Sequence, residues 1–256
     1  MAQAFEPGRI FIRDLNFQSV PGPNPQEVAG TATLSEHLRH PATSVPRLSV
    51  LATIADCVAG VAAGSAFHPR LGLTLDIGVH IIAPKIADDL AIAARLLKEG
   101  RTTVSAEVRF SDRWTGELVA ISDLTFIASP RPQDLAPTAL AYVRSEGTMP
   151  VPFPDHVGVR RVQPGIAEVE LGPLVAQASG TVQGGIIALL AEVAAETLCD
   201  RLIVGLDVRY LAAVRSGPGR ASARALNDAL IRVEVRDVGS NDRLTALAMV
   251  RLAPGA

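Results

Sequence analysis

Cysteine is almost missing from these 256 residues, with only Cys57 and Cys199 present. Two thiols at no metal-ligand spacing exclude both a disulfide framework and a thiolate metal centre. Both lie in apolar, helix-like stretches, where a buried small hydrophobe is the ordinary reading. Lysine is equally sparse: Lys85 and Lys98 are the only two among 24 basic residues, set against 26 acidic ones for a formal charge of −2. Without a basic stripe to neutralise a row of phosphates, nucleic acid is not expected as a partner. No apolar run reaches the ~20 residues that cross a bilayer. The longest, 48–64, is interrupted by Asp56, and the N-terminal residues carry Glu6 and Arg9 without a leader-like apolar core. A soluble cytoplasmic protein with no membrane partner is expected. His37, His40 and His68 fall in loop-like stretches at no metal spacing, and His80 sits on a strand, where packing or solvent is its expected surrounding. No dinucleotide, Walker, nucleophile-elbow or HExxH motif occurs, so neither a metal nor a resident cofactor is expected.

What the chain does have is apolar mass and a repeat. Hydrophobic residues make up 48% and charged residues 20%, which is enough for one large or two smaller compact units. Residues 46–60 (PRLSVLATIADCVAG) match 182–196 (VQGGIIALLAEVAAE) at an offset of 136, with Ala52, Ala55 and Ala59 facing Ala188, Ala191 and Ala195 and with Asp56 facing Glu192. Upstream, the strand beginning at Gly30 meets the one at Gly165. Downstream, Val79-His-Ile-Ile-Ala-Pro meets Val208-Arg-Tyr-Leu-Ala-Ala at 129, and Val104-Ser-Ala-Glu-Val-Arg meets Ile231-Arg-Val-Glu-Val-Arg at 127. Four elements in one order, with only small drifts at loops, read as a duplication. Six prolines in 129–154 mark the boundary between an N-terminal unit, 1–128, and a C-terminal unit, 155–256.

Each unit reads as a short strand, an apolar helix (48–63 or 184–199), and four strands at short spacing. These are 73–83, 88–98, 102–111 and 117–128 in the first unit, and 202–212, 219–227, 229–237 and 243–252 in the second. The helices are apolar on all sides, which predicts burial all round. The strands alternate in part, as antiparallel strands buried on one face do. The class is α+β: two antiparallel sheets, each wrapped around a long buried helix.

That order, together with Gln177-Ala-Ser-Gly-Thr-Val-Gln-Gly-Gly-Ile-Ile-Ala-Leu-Leu-Ala-Glu192, resembles a tandem (double) hotdog of the acyl-CoA thioesterases, the phenylacetate-pathway type included. In that family an Asn or Gln precedes a His-Gly-Gly turn by six residues and a carboxylate follows the first Gly by eight. Gln177, Gly184 and Glu192 keep both spacings, and Gln183 stands where the family usually has His. The resemblance implies a site at a seam, with the glycine turn from one hotdog and the carboxylate and a hydroxyl from the other.

A tandem offers two such seams. The first joins Gln177, Gln183, Gly184 and Gly185 of the second unit to Asp56 and Thr74 of the first. The second would join Glu192 to a turn in which Pro41, Arg47, Leu48 and Ser49 stand where the glycine motif should be, and in which the hydroxyl position is Ile203. There Arg47 is expected to pair with Glu192. Elementary chemistry fits the first seam. Glycines at a helix start expose unpaired N–H groups at the positive end of the dipole, a place for a thioester oxyanion. A carboxylate nearby is the general base or nucleophile. The resulting expectation is hydrolysis of an acyl-CoA, with Asp56, Thr74, Gly184 and Gln177 catalytic and with Gln183 and Gly185 touching substrate. CoA would enter only as part of the substrate. The pseudo-dimer lies within one chain, and open sheet edges offer a route to further homo-oligomers. The alternative is an acyl-CoA or fatty-acyl binding module of the same fold without turnover.

Overall fold

A computed structural model describes residues 10–24, 26–83, 86–130, 143–177 and 179–255. Residues 131–142 of the expected linker lie outside the described residues, as do residues 1–9. The first run of elements is β1 (Phe17–Pro21), β2 (Glu27–Thr33), α1 (Leu48–Phe67), β3 (Gly72–Ile81), β4 (Asp89–Glu99), β5 (Thr103–Asp112) and β6 (Leu118–Ala128). The short helix α2 (Phe153–His156) opens the second run. It continues with β7 (Arg160–Gln163), β8 (Ile166–Val169), α3 (Gly184–Glu196), β9 (Ile203–Tyr210), β10 (Gly219–Asn227), β11 (Leu230–Asp237) and β12 (Arg243–Leu252).

In place of the two expected sheets the described residues form one antiparallel sheet of twelve strands, ordered β1-β2-β4-β5-β6-β3-β9-β12-β11-β10-β8-β7. The reason is at its centre. β3 and β9 would each end a half-sheet with a row of unpaired N–H and C=O groups, and pairing them with each other satisfies both rows. Their register sets Gly78 opposite Asp207, the residue one repeat offset further along the chain. Two repeat-equivalent residues opposite one another mark a local two-fold axis through the junction. A Cβ on Gly78 would lie 2.7 Å from Asp207 Oδ1, so the side chain on one side of the axis needs glycine on the other. His80 packs there too, its Nε2 3.3 Å from Asp207 Oδ1.

Inside the curve of the sheet the two long helices pack on each other. They run antiparallel, since the Leu48 amide meets Glu192 while Thr53 meets Gly185. α1 is 20 residues long, four more than the apolar pattern predicts, and ends before Pro69. Contrary to the sequence expectation, it is long and apolar enough, by length and composition alone, to cross a membrane. Its apolar sides are instead answered by the sheet and α3: Val50, Leu51, Ile54, Ala55 and Val58 are wholly buried. α3 stops at Glu196, three residues short of expectation. Thr197 ends it, its hydroxyl donating to the Ala194 carbonyl and accepting from the Gly165 N–H, and Cys199 consequently sits outside the helix. Ile186, Leu189, Leu190 and Val193 have no exposed surface. Burying each side chain of this size contributes about 1.5–3 kcal/mol, which holds a helix of modest length in place far better than propensity would.

Candidate active site

The start of α3 is a Gln-Gly-Gly turn. Gln183 has the extended backbone of an N-cap (φ −69°, ψ 145°), and its Oε1 accepts from the Gly185 N–H at 2.5 Å. Gly185 faces α1: a Cβ there would fall 1.9 Å from Thr53 Oγ1, so only glycine allows this helix approach. Neither residue, expected to touch substrate, lines the cavity described below. The Gln183 side chain is spent on capping, and Gly185 has its N–H taken and its Cα pressed against α1. Gly184 is different. It lines a cavity, its carbonyl accepts from the Tyr210 hydroxyl at 3.0 Å, and among the described residues none accepts from its own N–H.

Asp56, in the middle of α1, lines the same cavity. Thr74 Oγ1 on β3 donates to Asp56 Oδ1 at 2.6 Å. Burial pushes the Asp56 carboxyl above its ordinary range, and the Thr74 bond opposes that only in part. One turn along α1, Gly60 lines the same cavity, and a Cβ on it would meet nothing within 4 Å. Gln177 completes the polar rim, its Nε2 donating to Thr181 Oγ1 at 2.7 Å. The cavity holds about 400 Å³. The structure thus brings together Asp56 and Thr74 from the first run of elements with Gln177 and Gly184 from the second.

Tyr210 also lines the cavity, and the sequence reading missed it. Burial, with Asp56 close by, raises its phenol well above the ordinary value and keeps the proton on. The only sequence signal is an asymmetry, since the repeat position that holds Tyr210 in the second unit holds Ile81 in the first.

The pseudo-symmetric place is closed. Glu192 Oε1 accepts from the Leu48 N–H at 2.8 Å, and Oε2 accepts from the Ser49 N–H at 3.3 Å and the Ser49 hydroxyl at 2.5 Å. The carboxylate occupies the helix start where a ligand oxygen would otherwise sit. Only about 10 Å³ of cavity remains beside it. Arg47 is buried here, but its nearer partner is Glu196 at 2.5 Å, with Glu192 at 3.8 Å, because Glu192 has already turned to the start of α1. Burial raises both glutamates and Arg47 opposes that rise. His40, whose Nε2 is 3.9 Å from Glu196, is pushed down by burial and by Arg47. No group of three metal-binding side chains occurs among the described residues.

No family model matches the chain and no curated protein matches it in sequence. Solved structures do. An acyl-ACP thioesterase from Bacteroides thetaiotaomicron superposes with a TM-score of 0.61 at 13% identity, covering 89% of this chain and 98% of the other. The 12:0-ACP thioesterase from Umbellularia californica gives 0.63 at 13%, over 92% of this chain and 100% of its own. A conserved protein with the hotdog fold from Alicyclobacillus acidocaldarius gives 0.55 at 16%, over 96% and 98%. At such identities the likeness speaks for the fold, which is the hotdog.

Proposed function

We propose that this hotdog chain hydrolyses an acyl-CoA thioester in the cavity between α1 and α3, at a composite site assembled from both halves of the chain as a double hotdog. The observation that carries the reading is that Asp56 and Gly184 line one open cavity, while the equivalent pair, Glu192 and Leu48, is closed by a direct hydrogen bond. In this reading the thioester carbonyl oxygen approaches the Gly184 N–H, which stabilises the charge that develops on it. Asp56 takes a proton from a water held between it and Thr74 as the water oxygen bonds to the carbonyl carbon. The C–S bond then breaks, the thiolate of CoA takes up the proton that Asp56 had accepted, and the acid leaves as carboxylate, its own proton passing to solvent. The raised affinity of Asp56 for protons makes it a stronger base than an exposed aspartate. Gln177, at the rim, holds the thioester end of the substrate by hydrogen bonding.

A binding module without turnover would have no use for an ionisable group at the polar end of an otherwise apolar pocket, since that group costs stability when buried. The deciding experiment is thiol release from a panel of straight-chain, branched and aromatic CoA esters. Turnover that disappears in Asp56→Asn supports the reading. Release no faster than that variant's background from every ester overturns it.

A further inference from the structure

Two peptide groups flank Gly184. The Gln183–Gly184 peptide carries the N–H assigned above to the thioester oxygen. The Gly184–Gly185 peptide is held at both ends by side chains: its carbonyl accepts from the Tyr210 hydroxyl at 3.0 Å and its N–H donates to Gln183 Oε1. A glycine pair is the least restrained dipeptide a chain can offer. A donor that stabilises developing charge must be fixed in direction before the reaction begins. The phenol also closes over the turn, since a Cβ on Gly184 would lie 3.3 Å from Tyr210 Oη and 3.4 Å from its Cζ. Finally, the repeat counterpart of Tyr210 is Ile81, so the hydroxyl exists only on the side of the molecule where the cavity is open.

We infer that Tyr210 is a positioning residue: by clamping the Gly184 carbonyl from β9 it fixes the Gln-Gly-Gly turn so that the Gly184 N–H faces the substrate carbonyl oxygen. The inference rests on the hydrolytic reading of the cavity, with Gly184 as its oxyanion donor. The phenol does not touch the reacting atoms. It acts through the backbone.

Tyr210→Phe removes one hydrogen bond and keeps the ring, so it is the variant to make. Thiol release should show kcat about tenfold lower with KM little changed, a part of the ~10²- to 10³-fold that loss of a whole donor costs. A second measurement does not need turnover. In protein labelled with ¹⁵N-glycine, the Gly185 amide, which is bonded to Gln183 Oε1, should exchange with solvent about tenfold faster in the variant, with Gly60 unchanged as the internal control. A Tyr210 that only packs would lower the melting temperature or raise KM, leaving kcat and the Gly185 exchange rate as they were, and that result overturns the inference. Should the wild-type chain release no thiol, the hydrolytic reading falls by itself. The Gly185 exchange rate then still decides the clamp, an unchanged rate refuting it and a faster rate supporting it.

Discussion

Asp56 and Glu192 occupy equivalent places on α1 and α3, and they differ by one methylene. Glu192 reaches across to the start of the opposite helix and accepts from the Leu48 N–H at 2.8 Å, whereas Asp56 is held by Thr74 and leaves an open cavity before Gly184. Serine at position 49 adds a donor for the longer acid, and glycine at 185 offers none. One seam is thereby filled by its own carboxylate and the other keeps an open cavity.

Replacing Asp56 by Asn keeps the shape and an acceptor for Thr74 while removing the base. Thiol release should drop at least ~100-fold, the low end for a general base. Stability should move the other way. Because burial raises the Asp56 carboxyl, the folded chain binds that proton more tightly than the unfolded one, and wild-type stability falls as pH rises above the ordinary value of 3.8 until the folded group has ionised. The variant lacks that loss. Its melting temperature should exceed wild type at neutral pH, and the gap should close as pH falls toward 3.8. A variant equally stable or less stable at neutral pH contradicts the assignment.

Glu192 is expected to behave in the opposite manner. Glu192→Ala strips the acceptor from the Leu48 and Ser49 N–H groups and leaves Arg47 to Glu196 alone. The cost should be about 1–3 kcal/mol for the stranded donors, seen as a lower melting temperature, with turnover per folded molecule close to wild type. A loss of turnover matching that of Asp56→Asn would mean that both seams work.

Gly184→Val tests the oxyanion position. The new Cβ meets Tyr210 at 3.3–3.4 Å and the branches reach into the cavity mouth. Turnover should fall ~10²- to 10³-fold, the range for one lost donor. Gly184→Ala in the Tyr210→Phe background should fold better than Gly184→Ala alone, because the closest atom facing the new methyl has gone. Measuring melting temperature and turnover on the same preparation separates blocked access from strained packing.

Gly60 is a glycine inside a helix with open space at its Cβ, where alanine would be worth about 0.5–1 kcal/mol of stability. Gly60→Ala should therefore raise the melting temperature, and Gly60→Leu, which projects into the cavity one turn from Asp56, should shift the preferred ester toward shorter acyl groups. An unchanged acyl-length profile for Gly60→Leu would place the acyl tail elsewhere.

The repeat was legible because hydrophobic periodicity and small-residue spacing are properties of the chain itself. The helix starts at Leu48 and Gly184 and the eight meander strands followed from them, with ends within a few residues. Asp56 and Gly184 carried their own signal as an acid and a glycine in an apolar helical pattern, whereas Thr74 was implied by the family resemblance alone. Tyr210 did not, since a tyrosine on a strand is ordinary and its partner is a backbone carbonyl far away in sequence. That Gln183 caps the helix and Gly185 packs on α1 was hidden for a related reason. Whether a helix-start residue caps its own helix or faces a ligand depends on what packs beside it, here Thr53 from the other helix. The continuity of the sheet through β3 and β9 was likewise hidden, because edge pairing is written in backbone groups that every residue has.

The two-fold axis between Gly78 and Asp207 has a consequence for how such a site can change. In a dimer of identical halves, any substitution falls on both seams at once, so a mutation that plugs one plugs the other. Joining the halves in one chain removes that restriction. Leu48, Ser49 and Glu192 then act on one side only, and the surplus catalytic place becomes free to serve as an internal strut. In the proposed reading the two carboxylates have parted into a reactive group and a brace. Titration with a tight, non-hydrolysable thioether analogue should accordingly saturate at one equivalent per chain, half of what the symmetry of the scaffold would suggest.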